Sequence, residues 1–144
     1  MRLNVYIAVA TISFFGFSGV GFAGSSMHVD IAKKHCNETV SAGESGLDHG
    51  GQGHGGVAVK HFKKMIHEAG ECVGHGQGGI DASDASEATK MHGPEAMSLM
   101  KEAMSHAKTA VKHGELGHLD VLMGHGKDAL ALAREGLKHA NEMN

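Results

Sequence analysis

Residues 106–125, HAKTAVKHGELGHLDVLMGH, decide how this chain folds. His106 and His113 stand seven apart, Gly114 to Gly117 turn the chain, and His118 and His125 stand seven apart again. Seven residues are two helical turns less about 20°, so each pair marks one face of a helix, and the two helices mirror each other about the turn. Extended outward in sevens, the series reads His92, Leu99, His106, His113 before the turn and His118, His125, Leu132, His139 after it. Folded back as an antiparallel hairpin, it sets 113 against 118, 106 against 125, 99 against 132 and 92 against 139. Even the apolar exceptions match, since Leu99 faces Leu132.

The period continues upstream. His28 and His35 are seven apart, and Ala42-Gly43-Glu44-Ser45-Gly46-Leu47 aligns with His113-Gly114-Glu115-Leu116-Gly117-His118 at an offset of 71. On that alignment the chain is duplicated, and the first hairpin sets His35 against His54 and His28 against His61. The first heptad position then falls at 28, 35, 42, 47, 54, 61, 68, 92, 99, 106, 113, 118, 125, 132 and 139. Ten of these fifteen are His, where 13 His in 144 residues would put about one by chance. Positions two and five are small and position six is larger and apolar, so an apolar seam runs beside the His stripe, as a bundle helix requires.

The pattern predicts an all-α fold: an antiparallel four-helix bundle made of two duplicated helical hairpins, 27–72 and 92–144, joined by a linker at 73–91. Helix 1 should run from about Met27 to Ala42. Helix 2 should be secure from Val57 to Glu71, because the glycines at 50–56 each cost about 1 kcal/mol relative to Ala in a helix and fray its start. Helix 3 should open at Gly93-Pro94-Glu95, where Pro suits the first turn, and helix 4 at His118.

At 144 residues and 15.0 kDa the chain suits one domain, and its net charge of −3, without any Lys/Arg cluster, argues against a nucleic-acid partner. Arg2, the apolar run from Val5 to Val20 and Gly21-Phe22-Ala23 read as a secretory signal over 1–23. That run is short and Gly-interrupted for a membrane span. Residues 24–144 are then an exported His-rich domain with no membrane attachment.

Neutral imidazole is the commonest protein ligand for Cu(II), Ni(II) and Zn(II). Histidines at i and i+7 lie about 10.5 Å apart along a helix, whereas donors must come within about 2.1 Å of an ion. Ligands therefore have to meet in rungs across a hairpin. The expected metal ligands are His28, His35, His54, His61, His92, His106, His113, His118, His125 and His139, with carboxylates one turn on at Glu38, Glu95, Asp128 and Glu142. His49 and His75 fall in Gly-rich stretches, as extra weak ligands or as loop composition, and His67 reads as surface. Met97, Met100 and Met104 lie on the apolar stripe and read as core. Cys36 and Cys72 suit an oxidising compartment. The register places Cys36 level with Gly53 and so argues against a disulfide between them, leaving an intermolecular bridge or a soft-metal role open.

The periodic histidines, the His-x6-His-Gly-x-x-Gly-His-x6-His hairpin and the opening His28-Val29-Asp30 resemble the small metal-binding protein family, periplasmic His-rich four-helix bundles that bind divalent transition metals. The resemblance covers roughly 27–144 and is most specific at 103–139; it departs at Ala42, Leu47, Glu68, Leu99 and Leu132, in the Gly-rich insert, the longer linker and the two Cys. It implies a periplasmic protein that binds several ions for buffering, scavenging or detoxification. By the usual ligand ordering Cu(II) binds tightest in vitro, with Ni(II) and Zn(II) behind it. The expected state is a monomer, or a dimer linked through Cys. Near-identical rungs without a placed acid or base argue against an enzyme. The alternative is a non-covalent haem or redox carrier using paired His, since no Cys-x-x-Cys-His attachment site exists for a covalent haem.

Overall fold

The computed structural model describes residues 24–144, so the expected signal segment at 1–23 lies outside the described residues. Four helices follow one another: α1 (Ser25–Gly51), α2 (Gly55–Asp81), α3 (Glu87–Glu115) and α4 (Leu119–Glu142). Each packs against its neighbours in sequence and α4 closes on α1, leaving α2 and α4 on a diagonal. This is the all-α antiparallel four-helix bundle that the heptads predict.

The core follows the heptad positions. Positions two, five and six bury Val29, Ala32, Cys36, Ala58, Phe62, Met65, Cys72, Met97, Met100, Ala103, Ala107 and Leu122. Burial of apolar surface at about 25 cal/mol per Å² is what holds the helices together. Met97 and Met100 fill the interior and Met104 is half-buried.

The first hairpin turns later than its spacing suggested. α1 runs past Ala42 to Gly51, and the turn lies at 52–54 instead of within 42–47. His54 N–H donates to the His49 carbonyl at 2.9 Å and Gly53 N–H to the Gly50 carbonyl at 3.0 Å. In the second hairpin His118 N–H donates to the His113 carbonyl at 2.9 Å and Gly117 N–H to the Gly114 carbonyl at 3.1 Å. Both are the paired bonds of a helix that ends on a left-handed residue, and Gly53 and Gly117 supply it at φ 79° and 80°. The duplicated unit is therefore His49-Gly50-Gly51-Gln52-Gly53-His54 with His113-Gly114-Glu115-Leu116-Gly117-His118, at an offset of 64.

Some glycines of the Gly-rich stretches are packing notches, since a Cβ at Gly50 would run into Met123 and one at Gly76 into Met97, while Gly51, Gly56 and Gly74 have nothing within 4 Å. A Cβ at Gly46 would meet the Phe62 ring at 2.9 Å, and one at Gly126 would run into the same ring. Close approach of helices around Phe62 outweighs the poor propensity of glycine, so the Gly-rich segment stays helical up to the turn. The linker shrinks accordingly to 82–86. Within it Asp84 accepts the Ser25 N–H at 2.9 Å, at the start of α1 where negative charge is favoured, and the Ser86 hydroxyl caps α3 by accepting the Thr89 N–H at 3.0 Å. Since α3 starts at Glu87, Pro94 lies inside it and not in its first turn.

Sliding the turn also changes the fate of the cysteines. Cys36 and Cys72 form a disulfide between α1 and α2, with Cα atoms 5.2 Å apart. The expectation against that bridge came from the misplaced turn, which set Cys36 against Gly53. No free cysteine remains among the described residues, so neither a Cys-linked dimer nor a soft-metal thiolate has a thiol to use.

Candidate metal-binding grooves

With the turn at 52–54, the first hairpin pairs 28 with 75, 35 with 68, 42 with 61 and 49 with 54. This replaces the expected pairs 35/54 and 28/61. The second pairs 92 with 139, 99 with 132, 106 with 125 and 113 with 118, as its own spacing predicts. Twelve of the 13 histidines occupy these sixteen positions, and His67 alone stands apart, exposed. They line the groove between the two helices of their own hairpin, half-buried except at His54 and His118, which are exposed beside the turns. Because α1/α2 and α3/α4 are opposite edges of the bundle, the two grooves lie on opposite sides.

The side chains meet across these grooves. His28 with His75, His106 with His125, and His113 with His118 each bring their Nδ1 atoms to 3.3 Å. His35 Nδ1 lies 2.8 Å from Glu68 Oε2, and the rings of His92 and His139 are 6.0 Å apart. The helices are staggered, so an imidazole also nears a second one. His35 stacks on His75 at 6.0 Å, His49 on His61 at 5.1 Å, and His113 on His125 at 6.2 Å. The expected separate rungs are thus joined into zigzag ladders, and His125 serves both His106 and His113. Ala42 interrupts the first ladder and the pair Leu99 and Leu132 the second, leaving one cluster at each end of each hairpin.

Carboxylates complete some clusters. Glu38 joins His35 and Glu68, Glu71 joins His35 and His75, and Asp128 joins His106 and His125, with one donor atom from each residue lying within 4.8 Å of the others. Asp128 stands 3.6 Å from His106 Nδ1. Glu95 and Glu142, expected as ligands, enter no such group among the described residues. Burial alone would raise the Glu68 carboxyl, but the hydrogen bond with His35, contact with Glu38 and the charges of His35 and His67 carry it below the ordinary carboxylate value.

The donor set fits a small cation. Two nitrogens about 2.05 Å from a tetrahedral ion are about 3.3 Å apart, the separation found in three of the His pairs. His49 Nδ1 is buried with no hydrogen-bond partner among the described residues, and its ring lies 5.9 Å from that of His54 and 5.1 Å from that of His61. A buried polar atom left unpaired costs about 1–3 kcal/mol, a cost that an ion ligated there would remove. Every close His pair belongs to a single hairpin groove, while Phe62, Met65, Met97, Met100 and Leu122 fill the interior. That arrangement favours ions over a porphyrin, which needs a slot between facing imidazoles.

Sequence reasoning missed Glu68 and Glu71 as members of groups that could hold an ion and left His49 and His75 in Gly-rich stretches. The missed signal was the repeat of His-Gly-x-x-Gly-His at 49–54, which alone among the Gly-rich stretches copies the second turn. No helix among the described residues is long and apolar enough to cross a membrane, and the disulfide is compatible with an oxidising compartment. No family model, curated protein or solved structure matches this chain.

Proposed function

We propose that this protein binds several divalent transition-metal ions, Cu(II), Ni(II) or Zn(II), along its two His grooves, and buffers or scavenges them in the periplasm after export. The observation that carries this is the recurrence of one geometry: three imidazole pairs, in both hairpins, with Nδ1 atoms 3.3 Å apart. The same 3.3 Å separation lets one imidazole hydrogen-bond the other in the metal-free protein and lets both ligate one ion when it binds. Several similar clusters without a placed acid or base suit storage better than turnover.

The test is titration of the mature, metal-free protein with each ion, read by calorimetry and elemental analysis. More than one ion per chain is expected, with uptake falling steeply from pH 7 to 5, because imidazole must be neutral to ligate and its ordinary pKa is about 6.5. Uptake of no ion, or retention unchanged at pH 5, would overturn the proposal.

A further inference from the structure

The end of the first hairpin remote from its turn differs chemically from the other three clusters. It gathers His28, His35 and His75 with three acids, Glu38, Glu68 and Glu71. Two triads overlap there on one residue, His35: one with Glu38 and Glu68, the other with Glu71 and His75. Glu68 is only 7% exposed. A carboxylate removed from water that far is costly unless compensated. It is hydrogen-bonded to His35, and neither Glu68 nor Glu71 is paired with a Lys or Arg among the described residues.

The site is also held more firmly than the others. Cys36 follows His35 directly and Cys72 follows Glu71 directly, so the disulfide ties the two ligand-bearing backbones together at this level. Preorganised donors lose less freedom when they bind.

Resting on the metal-binding reading above, we propose that His35, Glu38, Glu68, Glu71 and His75 form a mixed nitrogen and oxygen centre for one divalent ion of harder character, the class of Mn(II), Fe(II) and Co(II), unlike the nitrogen-dominated ladder of the second hairpin. Carboxylate oxygens suit Mn(II), which stands lowest in the affinity order for nitrogen-rich sites, whereas imidazole clusters favour Cu(II) and Ni(II). One divalent ion would offset two of the three negative charges that Glu38, Glu68 and Glu71 bring to this groove.

Mn(II) is therefore the discriminating probe. The disulfide-intact mature chain is titrated with Mn(II) and free ion is followed by electron paramagnetic resonance, in parallel with Ni(II) titration. One tight Mn(II) per chain is expected, weakened at least about tenfold in Glu68→Gln, a scale set by what even outer-sphere partners of a metal are worth. Glu71→Gln should weaken it as well, and carries the test if the buried Glu68→Gln protein does not fold. Mn(II) affinity unchanged in both variants overturns the proposal. Ni(II) uptake without Mn(II) uptake overturns it too while leaving the broader function standing, and failure to take up either ion removes both.

Discussion

The two hairpins share one register and differ in the middle of it. At an offset of 64, His35 and Glu68 of the first correspond to Leu99 and Leu132 of the second, and the disulfide-bonded Cys36 and Cys72 correspond to Met100 and Gly136. There Met100 packs into the notch at Gly136, where a Cβ would meet its Cε at 3.3 Å. Conversely, Ala42 in the first hairpin stands where the second has His106. One hairpin thus fastens its seam with apolar side chains and keeps four linked histidines beside its turn; the other fastens it covalently and places acids and histidines at the far end. At the level where the second hairpin has Leu99 and Leu132, the first has the polar pair His35 and Glu68 with the disulfide beside it. A partly exposed ion pair contributes about 0–1 kcal/mol, and Leu99 and Leu132, themselves half-buried, contribute through the apolar area they cover.

Removing the covalent fastener should affect the first hairpin most severely. Sequence separation across the disulfide is 36, and closing a loop of that size in the unfolded chain is worth about 4 kcal/mol in the chain-entropy account. Cys36→Ala combined with Cys72→Ala should lower the urea midpoint accordingly, with amide exchange accelerated in α1 and α2 before α3 and α4. An unchanged midpoint would mean that packing alone holds the first hairpin.

The seam between hairpins can be tested next. Phe62 of α2 sits against Gly126 of α4, so Gly126→Ala overpacks the core and should cost about 1–3 kcal/mol. Gly124→Ala, with nothing within 4 Å of the added atom, should instead stabilise by up to about 1 kcal/mol through helix propensity. Thermal unfolding of the two variants should move in opposite directions; movement in the same direction would remove Phe62 as the element that docks one hairpin on the other.

A third experiment addresses the linked ladders. His125 approaches His106, His113 and Asp128, whereas the one imidazole that His139 approaches among the described residues is His92. Ni(II) affinity of the second hairpin should fall at least about tenfold in His125→Ala and distinctly less in His139→Ala. Equal losses would show that the histidines act singly.

The smallest effect concerns pH in the metal-free protein. Glu68 has a folded pKa below its unfolded value near 4.5. Its pairing with His35 therefore adds stability that is fully present above the unfolded pKa and is lost as pH falls through the lowered folded one. Between pH 6 and 3 the wild-type protein should lose more stability than Glu68→Gln, measured by urea unfolding at each pH. The corresponding Leu132 adds no such slope to the second hairpin, and equal slopes in wild type and variant would erase this difference between the halves.

Much of this architecture is legible in the order of the amino acids. The spacing of His106, His113, His118 and His125 specifies the second hairpin and its pairings, and the small and apolar residues at heptad positions two, five and six specify the buried face, because both follow from the geometry of a single helix and its nearest turn. The first turn is not legible from the period. A seven-residue repeat looks the same whichever heptad the chain reverses in, so 42–47 and 49–54 continue one stripe equally well. Both offer a glycine where Gly117 stands, Gly46 and Gly53, and what separates them in the sequence is the flanking pair His49 and His54, which matches His113 and His118.

The helices' faces, the imidazole chemistry along them and the antiparallel pairing of the second half therefore belong to the sequence, since each is set by residues close in the chain. The axial slide of α2 along α1 follows from where the first turn falls, which the heptad period leaves open and tertiary packing fixes. That slide brings Cys36 to Cys72, sets Glu68 beside His35, carries His49 and His75 into the groove and staggers the histidines into ladders. It arises from how side chains such as Phe62 seat in notches such as Gly46 and Gly126 on other helices, and no periodicity within one helix encodes where its neighbour will stop.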